Sequence, residues 1–152
     1  MLDDVDRQLL VLLQEDARAT HAALAKAVGL TGPSVYARLK RLEADGVIRG
    51  YATLVDPDVL GQGVLAFLRV GTVAAADEGE PFESHVHADP RILECHDVDG
   101  EDSYLLKVRT TSPQELRGLI ADIRALPGIT RTVTTIVLET VKEPLRTGRA
   151  DG

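Results

Sequence analysis

The sequence has little of what membrane-bound, secreted or disulfide-linked proteins require. It contains no run of about 18 apolar residues and no charged start followed by an apolar stretch, so we expect neither a membrane span nor a secretory signal. A single cysteine, Cys95, rules out an internal disulfide and is typical of a reducing compartment. These absences predict a cytoplasmic protein.

Patterns of catalytic and metal-binding residues are also lacking. No combination of Ser, His and Asp suited to a nucleophilic site stands out. Four side chains of metal-binding type do fall close together: His85, His87, Cys95 and His96. The first two lie two residues apart on a predicted helix and the last two alternate across a predicted strand, so each pair points in different directions. We therefore expect no metal, no cofactor and no enzymatic activity.

Positive charge is scarce overall but concentrated in one place. The chain has 17 Lys and Arg against 24 Asp and Glu, a formal net charge of −7. Residues 1–50 are neutral in sum, so the later residues carry the whole excess of acid. Residues 31–42 hold three cations and no acid. Such a cluster can neutralise DNA phosphates, while the acidic remainder weakens non-specific binding. The alternative is a basic helix face that is merely solvated.

The N-terminal third has the pattern of a helix-turn-helix. Three helices are predicted, from Asp3 to Glu15, from after Thr20 to Gly29, and from Thr31 to about Asp45. Val35, Leu39 and Leu42 share one face of the third helix, which leaves its other face free to enter a DNA groove. Gly46 ends that helix, and a short strand over 47–51 would begin a wing.

From residue 64 onward the pattern becomes rich in strands. Strands are predicted over 64–73, 92–98, 103–111 and 130–141, with helices near 81–88 and 113–126. This order is that of the ferredoxin-like βαββαβ fold, in which both helices cover one face of the sheet. Apolar residues such as Leu65 and Phe67 would face the other side. Exposure of apolar surface to water costs about 25 cal/mol of free energy per Å². We therefore expect a second copy of the chain to cover that face.

Four ordered stretches make the chain resemble one protein family. They read LDDVDRQLLVLLQEDAR, LAKAVGLTGPSVYARLKRLEADGVIRGYATLVDP, ILECHDVDGEDSYLLKV and LPGITRTVTTIVLETVK. From Leu2 to Lys142 the chain resembles the leucine-responsive and asparagine-responsive (Lrp/AsnC, feast/famine) transcriptional regulators. The resemblance implies a winged helix-turn-helix, a hinge strand, and an αβ domain that forms homodimers and often octamers. It also implies an amino-acid effector, bound where αβ domains of different dimers meet.

The family's recognition helix corresponds to residues 31–42 of this chain. The resemblance implies that DNA is contacted from the exposed side of this helix, with the first residue on a phosphate: Thr31, Ser34, Tyr36, Ala37, Arg38, Lys40 and Arg41. Arg49 follows the helix, within reach of another phosphate. For Arg38 an alternative stays open, since its position on the flank also allows a salt bridge to an acid of its own domain.

The family's effector loop corresponds to residues 99–104. The resemblance implies ligand contacts from Gly100, Glu101, Asp102, Ser103 and Tyr104, with weaker additions on the last strand, Thr134 and Thr135. Many members carry an acid where this chain has Ser103. We therefore expect Glu101 or Asp102 to accept from a ligand's ammonium, and Ser103 with the loop amides to donate to its carboxylate. The alternative is a hydrophilic hairpin without a ligand.

The sequence thus predicts an α+β protein in four segments. They are a winged helix-turn-helix DNA-binding domain (1–50), a hinge strand or linker (51–62), a ferredoxin-like effector-binding and oligomerisation domain (63–142), and a polar tail expected to be disordered (143–152). The predicted function is sequence-specific regulation of transcription through double-stranded DNA, controlled by an amino acid or a related metabolite. The alternative is an architectural DNA-binding protein without an effector.

Overall fold

The computed structural model describes residues 1–73 and 81–143. It divides the chain into two compact units, Met1–Leu54 and Val55–Val141. The predicted polar tail lies, from residue 144 on, outside the described residues. Among the helices that are described, none is long and apolar enough to cross a lipid bilayer.

The first unit is built from three helices whose starts are fixed by capping side chains. The helices are α1 (Asp4–Glu15), α2 (His21–Val28) and α3 (Gly32–Ala44). Thr20 and Thr31 cap α2 and α3, because each side chain accepts a hydrogen bond from a backbone amide three residues later. Gly29 ends α2 with a φ of 69°, a left-handed conformation that glycine adopts without strain. The structure confirms the three predicted helices.

A small apolar core holds these helices together. Its buried members are Leu9, Leu24, Ala25, Val35, Leu39 and Leu42. The last three lie on one face of α3, so their burial directs the opposite face of α3 toward solvent.

The strand predicted after α3 is absent. Residues 47–56 form neither helix nor strand, and residues 57–61 form a turn, so the hinge strand expected within 51–62 is absent as well. A strand requires a neighbour to receive its backbone hydrogen bonds, and no segment of the described chain pairs with this stretch. The Tyr51 hydroxyl instead donates a hydrogen bond to Glu43 at 3.1 Å, which holds the chain beside the end of α3.

The second unit is a four-stranded antiparallel sheet with two helices. Its elements are β1 (Val64–Thr72), α4 (Pro81–Ala88), β2 (Ile92–Asp97), β3 (Tyr104–Thr110), α5 (Pro113–Arg124) and β4 (Ile129–Ile136). The strand order is β2-β3-β1-β4. This arrangement confirms the predicted α+β, ferredoxin-like βαββαβ fold. The last strand ends at Ile136 rather than near Val141. Val137 N still donates to Leu65 O at 2.9 Å, but β1 begins at Val64, so the residues nearest Val141 have no backbone of β1 opposite them.

One face of the sheet is buried beneath the helices. Ala66, Leu68 and Val70 alternate along β1 and are fully buried, as are Leu106 and Val108 of β3. They pack with apolar residues of α4 and α5 into the core of this unit.

The side chains on the opposite face of the sheet are less exposed to solvent than the sequence suggests. Leu65 is only 6% exposed, and Phe67 and Leu105 are partly buried. The expectation that these side chains would be exposed to solvent in a single copy of the chain is therefore wrong in part. The unit's most exposed large apolar side chains lie instead in its flanking segments: Val59, Leu60, Leu138 and Val141.

Truncating a side chain in the sheet core should unfold the protein more easily. Leu68 is fully buried, so Leu68→Ala should lower the free energy of unfolding by about 2 to 5 kcal/mol through lost burial and a residual cavity. Leu93 is 47% exposed, and Leu93→Ala should cost less than half as much. Chemical denaturation of both variants gives the comparison, and equal losses would contradict the assigned core.

Candidate DNA-binding and effector-binding sites

The exposed face of α3 carries a mixed set of polar, aromatic and basic side chains. Ser34, Tyr36, Ala37, Lys40 and Arg41 are all solvent-exposed. Tyr36 is 49% exposed; its ring lies 5.5 Å from that of His21 on α2, and the Lys40 ammonium lies 5.9 Å from its centre. Aromatic and cation–π contacts thus order this face without burying it.

A buried carboxylate fixes two of the three cations of α3. Asp6 of α1 is fully buried. Its two oxygens accept hydrogen bonds from Arg38 Nη1 at 2.8 Å and Arg41 Nη2 at 2.5 Å. Arg38 also reaches Asp3 at 2.6 Å. The structure therefore shows the alternative left open for Arg38, a salt bridge within its own domain, and adds the same role for Arg41.

Asp3 and Asp6 are themselves linked at the start of α1. Each side chain accepts a hydrogen bond from the other's backbone amide, at 2.8 Å for Asp6 N and 3.2 Å for Asp3 N, which forms a capping box. The amide of Asp6 and the guanidinium of Arg38 lower the pKa of Asp3 below its usual value. Both contacts stabilise the charged carboxylate, so they favour an ionised Asp3 at neutral pH.

The other predicted DNA contacts remain at the surface. Lys40 pairs with Glu43 at 2.8 Å, and this hydrogen bond raises the pKa of Lys40. The Thr31 hydroxyl pairs with that of Ser34 at 2.9 Å at the start of α3. Arg49 is exposed beyond the end of the helix. Lys40 and Arg49 are thus the cations of this region that do not depend on Asp6.

Asp6 is the residue that sequence reasoning missed in this unit. The signal was present, because Asp6 stands three residues before Leu9 and therefore falls on the buried face of α1. A carboxylate in that position needs a charged partner from another element.

The loop between β2 and β3 is tied down at its C-terminal end. Ser103 N donates to Val70 O at 2.9 Å. The Ser103 hydroxyl accepts from Thr72 N at 3.1 Å and bonds the Thr72 hydroxyl at 2.9 Å. These contacts occupy the amide of Ser103 and hold its hydroxyl oxygen, as an acceptor, against Thr72, so Ser103 anchors the loop to β1.

Gly100 and Glu101 form the open part of this loop. Gly100 has a φ of 151°, a conformation that favours glycine, and open space surrounds the position of a Cβ. The side chain of Glu101 is 84% exposed and lies 3.5 Å from Arg131 of β4. In the described part of the chain, the amides of residues 100–102 make no backbone hydrogen bond.

Asp102 lies beneath this open part, against two arginines. It is 6% exposed. Its carboxylate oxygens lie 3.6 Å from Arg69 Nε and 3.9 Å from Arg131 Nε. Both arginine side chains are about half exposed. Sequence reasoning missed both of them, although Arg69 was visible as the one charge in an otherwise apolar strand.

The remaining predicted effector residues lie elsewhere. Tyr104 turns toward α4, where its ring lies 4.6 Å from that of Phe82 and its hydroxyl donates to Glu83 at 3.2 Å. Thr134 lines a cavity of about 690 Å³ between α5 and β4. Thr135 points to the opposite face of the sheet, because successive strand residues alternate. The structure therefore brings residues 100–103 together but separates them from Tyr104 and Thr134.

The histidines and the cysteine are not grouped. Within residues 1–73 and 81–143, no three His, Cys, Asp or Glu side chains come close enough to hold a metal ion. Cys95 packs at the edge of the sheet core, where burial raises the pKa of its thiol.

Comparison with known proteins gives consistent matches along the chain. Residues 2–43 match the model of the AsnC-type helix-turn-helix domain, and residues 65–146 match that of the Lrp/AsnC ligand binding domain. The leucine-responsive regulatory protein of Klebsiella pneumoniae is 38% identical over 95% of this chain and 90% of its own length. The transcriptional regulator FL11 of Pyrococcus horikoshii is 33% identical over 93% of each chain.

Solved structures give the same result. A transcriptional regulator of Neisseria meningitidis, in complex with L-methionine, has a TM-score of 0.91 at 32% identity over 97% of each chain. A feast or famine regulatory protein of M. tuberculosis, also complexed with L-methionine, has a TM-score of 0.86 at 34% identity over 97% of this chain and 99% of that one. These relatives are regulators, which confirms the expectation that the chain is not an enzyme.

Removing the charge of Asp6 should weaken the first unit. Asp6→Asn keeps the shape of the side chain but leaves Arg38 and Arg41 without their buried counter-charge, so we expect the free energy of unfolding to fall by about 1 to 3 kcal/mol. Asp4→Asn, at an exposed position of the same helix, is the matched control and should change little. Thermal or chemical unfolding tests this, and an unchanged Asp6→Asn variant would contradict the assigned role.

Proposed function

We propose that this chain, which belongs to the Lrp/AsnC family of transcriptional regulators, binds duplex DNA through the exposed face of α3 and an amino acid at the loop between β2 and β3. One observation carries the first part: α3 buries a single apolar face and presents its other side to solvent. A helix of this kind enters the major groove in helix-turn-helix proteins. Since the relatives that it matches are regulators of transcription, we place the protein in the cytoplasm.

For DNA, we assign different roles to the residues of α3 and its flanks. Ser34, Tyr36 and Ala37 lie on the exposed face and are suited to contacts with base edges, since hydroxyl groups and small apolar groups read bases directly. Lys40 and Arg49 are suited to phosphates, as is Thr31 at the start of the helix.

Arg38 and Arg41 have a second role because of Asp6. A side chain already held at a buried carboxylate loses little conformational freedom when it meets DNA. Arg41 is still 48% exposed, so it can contact a phosphate while it stays bonded to Asp6. Arg38, at 28%, contributes more to holding α1 against α3 than to the DNA surface.

For the effector, two relatives of the same fold are complexed with L-methionine, which supports an amino acid as the ligand class here. The open part of the loop fits a zwitterion. Glu101 offers an exposed carboxylate for the ammonium, and the amides of residues 100–102 point to no other backbone group of the described chain. Asp102 is less suited to the ammonium, because it is buried against two arginines.

We further propose that the protein works as a homodimer that can assemble into octamers. Support comes from the exposed apolar side chains that flank the sheet, at Val59, Leu60, Leu138 and Val141. Exposed apolar side chains lose their contact with water when a second copy of the chain covers them, which stabilises an interface. A symmetric dimer would also present two copies of α3 to two DNA half-sites.

Substitution of Lys40 should weaken DNA binding without disturbing the Asp6 contacts. Duplexes selected from a random pool provide the binding target. For Lys40→Ala we expect lower affinity for every selected duplex, and a salt dependence of log K that is shallower by about one unit, because one phosphate contact is lost. Arg117→Ala removes the same charge from α5 and should leave both quantities unchanged. Equal behaviour of the two variants would contradict the assigned DNA surface.

Amino-acid binding should raise the temperature of unfolding. A ligand that binds only the folded state at 100 times its Kd stabilises it by about 2.7 kcal/mol, so a screen of the twenty amino acids at millimolar concentration should identify a selective shift. Gly100→Ala strains the loop backbone and should reduce that shift. Gly118→Ala, in an open position of α5 without a positive φ, should not. If no amino acid shifts the wild type, the effector proposal fails and an architectural DNA-binding role takes its place.

A further inference from the structure

Arg69 and Arg131 lie side by side on the helix-free face of the sheet. Arg69 pairs with Val133 across β1 and β4, and Gly71 pairs with Arg131. The two arginines are therefore diagonal neighbours on one face, a separation that long side chains bridge. Both lie on the strand positions that alternate with the buried core residues, so both point away from α4 and α5.

The carboxylate of Asp102 lies within ion-pair distance of both arginines. Its Oδ2 lies 3.6 Å from Arg69 Nε and its Oδ1 lies 3.9 Å from Arg131 Nε. Gly71 of β1 lies directly beside the carboxylate, since a Cβ there would be in ordinary contact with Asp102 Oδ1, at 3.6 Å. One buried carboxylate thus orients two guanidinium groups through their inner nitrogens.

The outer nitrogens of this arginine pair are left for another partner. Asp102 supplies one negative charge to two cations, and Asp102 Oδ1 is buried without a hydrogen bond. Among the described residues, Arg69 has no hydrogen-bond partner, and the outer nitrogen of Arg131 meets only Glu101, at 3.5 Å. A carboxylate is the group that a pair of guanidinium groups binds best, because its two oxygens accept parallel hydrogen bonds.

We propose that Arg69 and Arg131 bind the carboxylate of the amino-acid effector, and that Asp102 is the positioning residue that holds them. This inference rests on the proposed function and names the side chains that recognise the ligand's carboxylate. Ser103, the donor suggested by the sequence, is held against β1: its amide donates to Val70 and its hydroxyl accepts from Thr72. Glu101, next to Arg131, is then placed to accept from the ammonium of the same ligand.

The test compares ligands with and without a carboxylate. The amino acid that shifts unfolding most strongly in the screen, or L-methionine if several do so equally, is titrated by calorimetry beside its amide, which keeps the ammonium and the side chain. The wild type should bind the acid at least 10-fold more tightly than the amide. In Arg131→Gln and Arg69→Gln the Kd of the acid should rise about 10- to 100-fold, the range expected for loss of a charge-assisted hydrogen bond, while that of the amide stays nearly constant.

Two further variants separate positioning from stability. Asp102→Asn should lower the preference for the acid over the amide, which general loosening of the fold would not do. Arg117→Gln, on the opposite side of the sheet, is the matched control and should keep that preference. Circular dichroism verifies that each variant folds, and Arg69 and Arg131 are exposed enough for their glutamine variants to do so.

The outcomes distinguish this inference from the proposed function. If the wild type binds an amino acid and both glutamine variants keep its affinity and its preference over the amide, the arginine pair is not the carboxylate site, although the protein is still an amino-acid sensor. If the wild type binds no amino acid, both proposals are overturned.

Discussion

A buried aspartate held between two arginines is the interaction on which each unit of this protein depends. In the first unit, Asp6 joins α1 to Arg38 and Arg41 of α3. In the second, Asp102 joins the β2–β3 loop to Arg69 and Arg131. Burial of a charge costs free energy unless the charge is paired, so each aspartate favours the arrangement in which its arginines lie beside it. The need to pair a buried carboxylate therefore determines where these partly exposed arginines lie.

This arrangement has the same consequence for function in both units. Each aspartate is shared, so one negative charge lies beside two cations. Asp102 lies beside the inner nitrogens of Arg69 and Arg131, whereas Asp6 is bonded to one terminal nitrogen of Arg38 and one of Arg41. We propose that the anion that meets these cations is a DNA phosphate at Arg41 of α3, which is 48% exposed, and a ligand carboxylate on the sheet. Arginines held in this way have less conformational freedom to lose on binding. The acidic remainder of the chain, which gives it a net charge of −7, keeps anion binding confined to such places.

The sequence was sufficient to predict most of the helices and strands, but it was insufficient to predict the side-chain contacts between them. Helix bounds followed from local signals such as Thr20, Thr31 and Gly29, and the strand segments from apolar runs bounded by turn signals. The strand after α3 was wrongly predicted because a strand depends on a neighbour that local pattern does not supply. Asp6 and Arg69 were visible as charges in apolar surroundings. The partners of Asp6 are 32 to 35 residues away and that of Arg69 lies in the loop between β2 and β3, and pairing at such distance is set by the tertiary fold.

The most direct test of an amino-acid-controlled DNA-binding protein is its affinity for a selected duplex with and without the amino acid that stabilises it. If the amino acid changes the affinity for DNA by some factor, DNA must change the affinity for the amino acid by the same factor. We predict a change of about 5-fold or more in the Kd for DNA, in either direction, when the amino acid is saturating. An unchanged affinity and an unchanged stoichiometry on DNA, with the amino acid demonstrably bound, would contradict this prediction.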